Sequence, residues 1–119
     1  MDQYSQVRFD ASFAAISDAT RRGVLEQLMR ADASVTLLAE RFNMTLTGMR
    51  KHIGVLEQAE LVTTEKVGRV RTCRLGPRRL EAEAAWIENY LRLWAARFDA
   101  PDTVLDELKR KEKRDGRKK

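Results

Sequence analysis

One cysteine, Cys73, and one histidine, His52, are all this 119-residue chain offers of the side chains that most often build disulfides and zinc sites. A lone thiol excludes an internal disulfide framework and any zinc site assembled from several cysteines of one chain. His52 has no serine, cysteine or acid beside it at a catalytic spacing, and the chain has no Gly-rich phosphate loop and no metal-ligand cluster. We therefore expect no enzyme, no cofactor and no metal. Long apolar runs are missing too: nothing approaches the roughly 20 residues of a membrane span. The opening MDQYSQVRFD has neither the cationic start nor the apolar run of a secretory signal. A cytoplasmic protein with no membrane contact is expected.

What the chain does have is charge, unevenly placed. The net is +5, but residues 1–40 carry −2, residues 41–79 +6, residues 80–108 −5 and residues 109–119 +6. A basic middle and tail around an acidic segment imply a polyanion-facing surface on one part and a different task for the other. Basic residues alone also make an ordinary solvated face, so the argument turns on which element carries them.

The stretch from Thr36 to Leu56, TLLAERFNMTLTGMRKHIGVL, reads as two short amphipathic helices joined by a tight turn. Leu38 and Phe42 lie four residues apart on the inner side of the first, and Ala39 is small enough to let the pair approach closely. Asn43 falls where the chain must turn, and asparagine tolerates the left-handed backbone better than any residue but glycine. Thr45 caps the next helix, whose inner stripe is Met49, Ile53 and Leu56. Thr47, Lys51, Gly54 and Gln58 point the other way, with Arg50 on the flank. This is the layout of a helix-turn-helix whose second helix enters a DNA major groove.

Before it, a short helix is expected over Asp10 to Ser17, burying Phe9, Phe13 and Ile16. Asp18 caps a second helix with Val24, Leu25, Leu28 and Met29 as its apolar stripe. After it comes a β-hairpin: strands from Leu61 to about Val67 and from Val70 to Leu75 flank Gly68-Arg69, a pair suited to a type II′ turn. Alternation puts Arg71, Cys73 and Leu75 on one face and Val70, Thr72 and Arg74 on the other. Gly76-Pro77 closes the strand and starts the last and longest helix. Its seam of Leu80, Ala84, Ile87, Leu91, Trp94 and Phe98 has heptad-type spacing. Trp86, Tyr90 and Leu93 widen that surface beyond what one small domain covers, which points to a partner subunit. Pro101 kinks or breaks the helix. The fold class is thus mainly α with a small β-hairpin, a winged helix-turn-helix with a long C-terminal dimerisation helix. Its expected parts are a flexible N-terminus (1–8), the DNA-binding domain (9–76), a dimerisation helix or kinked pair (77–108) and a basic disordered tail (109–119).

The segments SDATRRGVLEQL, LAERFNMTLTGMRKHIGVLEQAELV and EKVGRVRTCRL resemble the ArsR/SmtB family of bacterial winged-helix repressors, over roughly Phe9 to Phe98. Ala19 stands where the family usually has the proline of Asp-Pro-Thr-Arg. Arg50, Lys51, His52 and Ile53 stand where it usually has Ser-Lys-His-Leu. The resemblance implies a homodimer formed by the first and last helices, so that Phe13 joins the seam, and repression relieved by an effector. The metal-sensing branch carries paired cysteines in the third helix, or histidine and acidic ligands on the last. Here TLLAERF has no cysteine and the last helix no histidine, so the chain resembles the non-metal members. The effector is unknown.

The candidate recognition helix comprises Thr45, Leu46, Thr47, Gly48, Arg50, Lys51 and His52. Arginine can reach guanine bidentately, threonine a thymine methyl or a phosphate, and lysine most often a phosphate. Leu46 and Gly48 are open between base-pair edges and a plain helix surface. His52 is open between a phosphate and a structural bond at the helix junction. Lys66, Arg69 and Arg71 form the candidate wing contacts, against the alternative of a solubilising hairpin edge. Cys73 is expected to pack inward with Leu75 as a small apolar residue. The aromatic seam reads as dimer core, with an apolar ligand pocket as the alternative. The function expected is a dimeric, sequence-specific repressor on double-stranded, pseudo-palindromic DNA. The alternative is a winged-helix protein-interaction module without sequence-specific DNA binding.

Overall fold

A computed structural model of the chain describes residues 3–98 and 108–112, with side chains from residue 6 onward. The chain divides into two compact units, Met1–Glu83 and Ala84–Lys119. The first holds helices α1 (Gln3–Ile16) and α2 (Ala19–Arg30), strand β1 (Ala33–Ser34), helices α3 (Val35–Arg41) and α4 (Leu46–Gln58), and strands β2 (Val62–Val67) and β3 (Val70–Leu75). Helix α5 (Glu81–Arg97) starts in its last residues and forms most of the described part of the second unit.

Each helix of the motif starts where a side-chain oxygen takes a free amide of the first turn. Asp18 Oδ2 accepts from Arg21 N (3.0 Å), Ser34 Oγ from Leu37 N (3.0 Å) and Thr45 Oγ1 from Gly48 N (3.0 Å). The ends are equally specific. After α3, Asn43 takes φ 53°, its amide bonds Glu40 O (3.2 Å), and Met44 N bonds Ala39 O (2.9 Å). That pair of bonds is a Schellman closure, and it makes the turn between the two helices. After α4 the same closure recurs on a residue with no turn propensity: Glu60 has φ 65°, its amide bonds Glu57 O (2.9 Å), and Leu61 N bonds Leu56 O (3.0 Å).

The core gathers Ala15 of α1, Val24 and Leu28 of α2, Leu38 and Ala39 of α3, Met49, Ile53 and Leu56 of α4, and Val62 and Cys73 of the hairpin. Gly68 has φ 63° while Arg69 does not, as a type II′ turn requires, and Val67 pairs with Val70 across it.

Several expectations are corrected. The first helix begins at Gln3 rather than Asp10, so most of the N-terminal stretch expected to be loose is helical. Phe9, Phe13 and Ile16 are half-buried, and Ala15 and Ser12 take the buried positions of α1. Met29 is exposed, because it points away from the side of α2 that carries Val24 and Leu28. A third strand, β1, adds to the hairpin, with Ala33 opposite Cys73 and Ser34 opposite Thr72; the sheet order is β1-β3-β2. Pro77 lies in the link after β3 rather than at the start of α5. Leu80 also precedes α5, at φ 65°, and packs on the winged-helix core instead of continuing the α5 seam. Residues 108–112 are helical, against the disordered tail expected from 109. Pro101 lies outside the described residues.

Candidate nucleic-acid interface

The amphipathic pattern of α4 sorts its side chains cleanly. Met49, Ile53 and Leu56 are buried, while Thr45, Leu46, Thr47, Arg50 and Lys51 are exposed and Gly48 is half-buried. Thr45 spends its hydroxyl on the cap, which leaves Thr47, Arg50 and Lys51 as the polar groups of an uncovered helix flank. Arg50 and Lys51 have no acidic partner among the described residues.

The hairpin register sets the wing. Val62 pairs with Leu75, Thr64 with Cys73 and Lys66 with Arg71, so these six share one face. That face is buried at Val62 and Cys73, is already exposed at Leu75, and ends in the two cations. Leu75 therefore does not join Cys73 in the core. The opposite face carries Arg74, paired with Glu65 (3.2 Å) and Asp32 (3.9 Å). Its charge is matched, and that of Lys66 is not.

Helix and wing meet at a cleft of about 430 Å³ lined by Val35, Arg50, Ile53, Glu57, Lys66, Arg69 and Arg71. Four cations and a single carboxylate surround it. Thr64 ties its walls together: its hydroxyl donates to Glu57 Oε2 (2.8 Å) and accepts from Arg71 Nη1 (3.2 Å). Glu57 and Thr64 were not among the residues singled out in the sequence. Polar residues at the end of a helix and the start of a strand carry no pairing signal until the wing folds back.

His52 is half-buried and turned toward the junction of α1 and α2. Its Nδ1 lies 3.1 Å from Arg21 Nη1 and 3.8 Å from Asp18 Oδ2. Arg21 also donates Nε to Ala15 O (2.8 Å) and Nη2 to Ala14 O (3.1 Å), closing the C-terminus of α1. The structural bond expected of His52 is thus present, and Arg21 is a partner that sequence reasoning missed. The Arg21 amide holds the Asp18 carboxyl below its usual range, and the Arg21 guanidinium adds to the effect.

Cys73 is fully buried, and burial, with Glu57 nearby, pushes its thiol up to about 11. A protonated, covered thiol is an apolar packing group, as expected. Phe13 meets Phe9 edge-on at 5.4 Å within α1. In the second unit Ala84, Ile87, Leu91, Trp94 and Phe98 are exposed, as are Trp86, Tyr90 and Leu93. Trp86 stacks on Tyr90 (5.7 Å) and Trp94 leans on Phe98 (4.7 Å), which aligns the rings along the helix.

Residues 16–65 match a helix-turn-helix domain family. The chain is 32% identical over 79 residues to the transcriptional repressor SdpR of Bacillus subtilis, a match covering 66% of this chain and 88% of that protein. It is similar to the crystal structure of an ArsR family transcriptional regulator, with 40% identity, a TM-score of 0.70, and coverage of 79% of this chain and 96% of that one. An ArsR-like transcriptional regulator from Rhodococcus sp. RHA1 is 31% identical at a TM-score of 0.71, covering 90% and 98%.

Proposed function

The chain belongs to the ArsR family of winged helix-turn-helix, DNA-binding transcriptional regulators, and from that premise we propose that it is a homodimeric repressor reading a pseudo-palindromic operator. The two copies of α4 enter successive major grooves, and twofold symmetry sets the half-sites about 34–36 Å apart. Thr47, Arg50 and Lys51 face the groove, and Lys66, Arg69 and Arg71 grip the flanking backbone.

One observation carries this reading: the uncovered flank of α4 and the wing cations converge on one cleft that contains a single acid. Such a concentration of cations favours a polyanion that follows the surface from helix to wing. Dimerisation rests on the row of exposed apolar residues along α5 from Ile87 to Phe98, too extensive for an isolated subunit in water. Leu80, packed on the core, is not part of that row; Ala84 is exposed one turn before Ile87 on the same helix, and Phe13 enters the proposal from the first helix as the second dimerisation element. Repression is the activity in the name of SdpR, the B. subtilis relative.

Fluorescence anisotropy with the duplex upstream of the chain's own gene tests the proposal. Tight binding of that duplex over a scrambled one, with affinity falling steeply as salt rises, is the expected result. Binding that is absent, or indifferent to salt, would instead fit the protein-interaction module.

A further inference from the structure

The single histidine of this chain sits on the recognition helix with one ring nitrogen already committed. An arginine side chain has only donors, so the 3.1 Å contact from Arg21 Nη1 requires His52 Nδ1 to accept. In the neutral ring, an accepting Nδ1 leaves the proton on Nε2. Arg21 cannot easily yield this position, because its other two donors are fixed on Ala14 O and Ala15 O at the end of α1. Asp18 Oδ2 accepts from the Arg21 amide at 3.0 Å as the cap of α2 and stands 3.8 Å from Nδ1, beyond hydrogen-bond distance. Nδ1 is thus taken, Nε2 has no hydrogen-bond partner among the described residues, and a fifth of the His52 side chain stays exposed.

We propose that Arg21 is a positioning residue for DNA recognition: it locks His52 in the Nε2–H tautomer, so that α4 presents an uncharged donor to a backbone phosphate. This inference rests on the DNA-binding reading above and adds one contact of a distinct kind. The lysines and arginines around it attract phosphate through charge, and their contribution decays with salt. A neutral N–H contributes direction and register and releases no counterion. The fixed tautomer also means that the donor is ready before DNA arrives, with no rearrangement of the ring.

Two amide replacements separate the ring nitrogens, since glutamine can place an N–H near Nε2 and asparagine only near Nδ1. His52→Gln should bind the operator within about threefold of wild type, whereas His52→Asn should lose about tenfold, the size of one hydrogen bond to a charged group. Both should keep the wild-type salt slope, while Lys51→Ala should lower it by about 1. Nitrogen NMR of the lone imidazole gives a readout independent of DNA: wild type should show Nε2 protonated and Nδ1 bare. Arg21→Lys, which keeps the charge without the three-way fork, should mix the tautomers. Nδ1 protonated in the wild type, or Asn binding as well as Gln, overturns the proposal while the DNA-binding reading stands. A wild type that binds no duplex above background ends both, whatever the NMR shows.

Discussion

Lys66 and Arg71 face each other as a directly paired couple across the two strands of the wing. Like charges in that position destabilise a hairpin, and of the two only Arg71 has a hydrogen bond to Thr64. The free protein therefore holds a repulsion that a phosphate between the two strands would relieve. Lys66→Gln should raise the midpoint of thermal unfolding of the free protein slightly and lower the salt slope of DNA binding by about 1. Differential scanning fluorimetry and a salt titration measure the two effects on one sample. A lower unfolding midpoint would show that Lys66 supports the wing rather than straining it.

Arg50 stands on both the exposed flank of α4 and the wall of the cleft, so it can read a base or hold backbone. If it reads a base, Arg50→Ala should cost about 1–3 kcal/mol on the operator and relax preference at one position. Competition between operator and scrambled duplexes distinguishes the roles, because equal losses on both would assign Arg50 to phosphate.

Much of this arrangement is legible in the sequence where a residue has one dominant use. Asn43 marks the turn because few side chains accept positive φ, and Met49, Ile53 and Leu56 mark the buried stripe by spacing alone. Glu60 makes the same left-handed closure after α4 without any sequence signal, since the position is fixed by Leu61 entering the core. β1 was hidden for a related reason: two residues are too short for alternation to register, and Ala33–Ser34 is a strand only because β3 passes beside it. Arg21 reads as one more helix-surface charge until α1 ends within its reach. The exposure of Thr47 and Lys51 is legible because amphipathicity needs only the local helix.

Leu91 lies on the exposed apolar side of α5. Leu91→Glu removes little burial from an isolated subunit but sets a carboxylate into the proposed seam, next to its symmetry mate. Sedimentation velocity should show a monomer that keeps its helical circular dichroism. Operator affinity should fall on the order of 10²-fold, because the two half-sites are no longer linked. A dimer that persists would place the interface elsewhere.

Cys73 gives a pH dependence whose sign is fixed by its burial. The folded thiol keeps its proton to about 11, whereas an unfolded cysteine releases it near ~8.5. The contribution is fully present below about pH 8.5 and is lost as pH rises through the folded value. Urea midpoints should decline over that range more steeply for wild type than for Cys73→Ala. Identical slopes would mean that the thiol is hydrated in the native state. Alkylation of the native protein should likewise be slow and follow unfolding.

Gly76 closes the wing against the end of α4. Its amide donates to Leu61 O at 2.8 Å, and a Cβ added there would lie 2.4 Å from Glu60 O and 2.9 Å from Leu61 C. Both obstacles are backbone, held by the Schellman closure after α4, so neither can swing aside as a flexible side chain would. Gly76→Ala should destabilise the fold by about 1–3 kcal/mol, the usual range for forced overpacking. The same change at Gly54, where an added Cβ meets nothing within 4 Å, should be neutral or stabilising, because alanine favours the helix. Chemical denaturation of the two variants separates close approach from glycine flexibility: equal effects would show that the junction relaxes, and that the end of β3 is not pinned to α4 as tightly as these distances require.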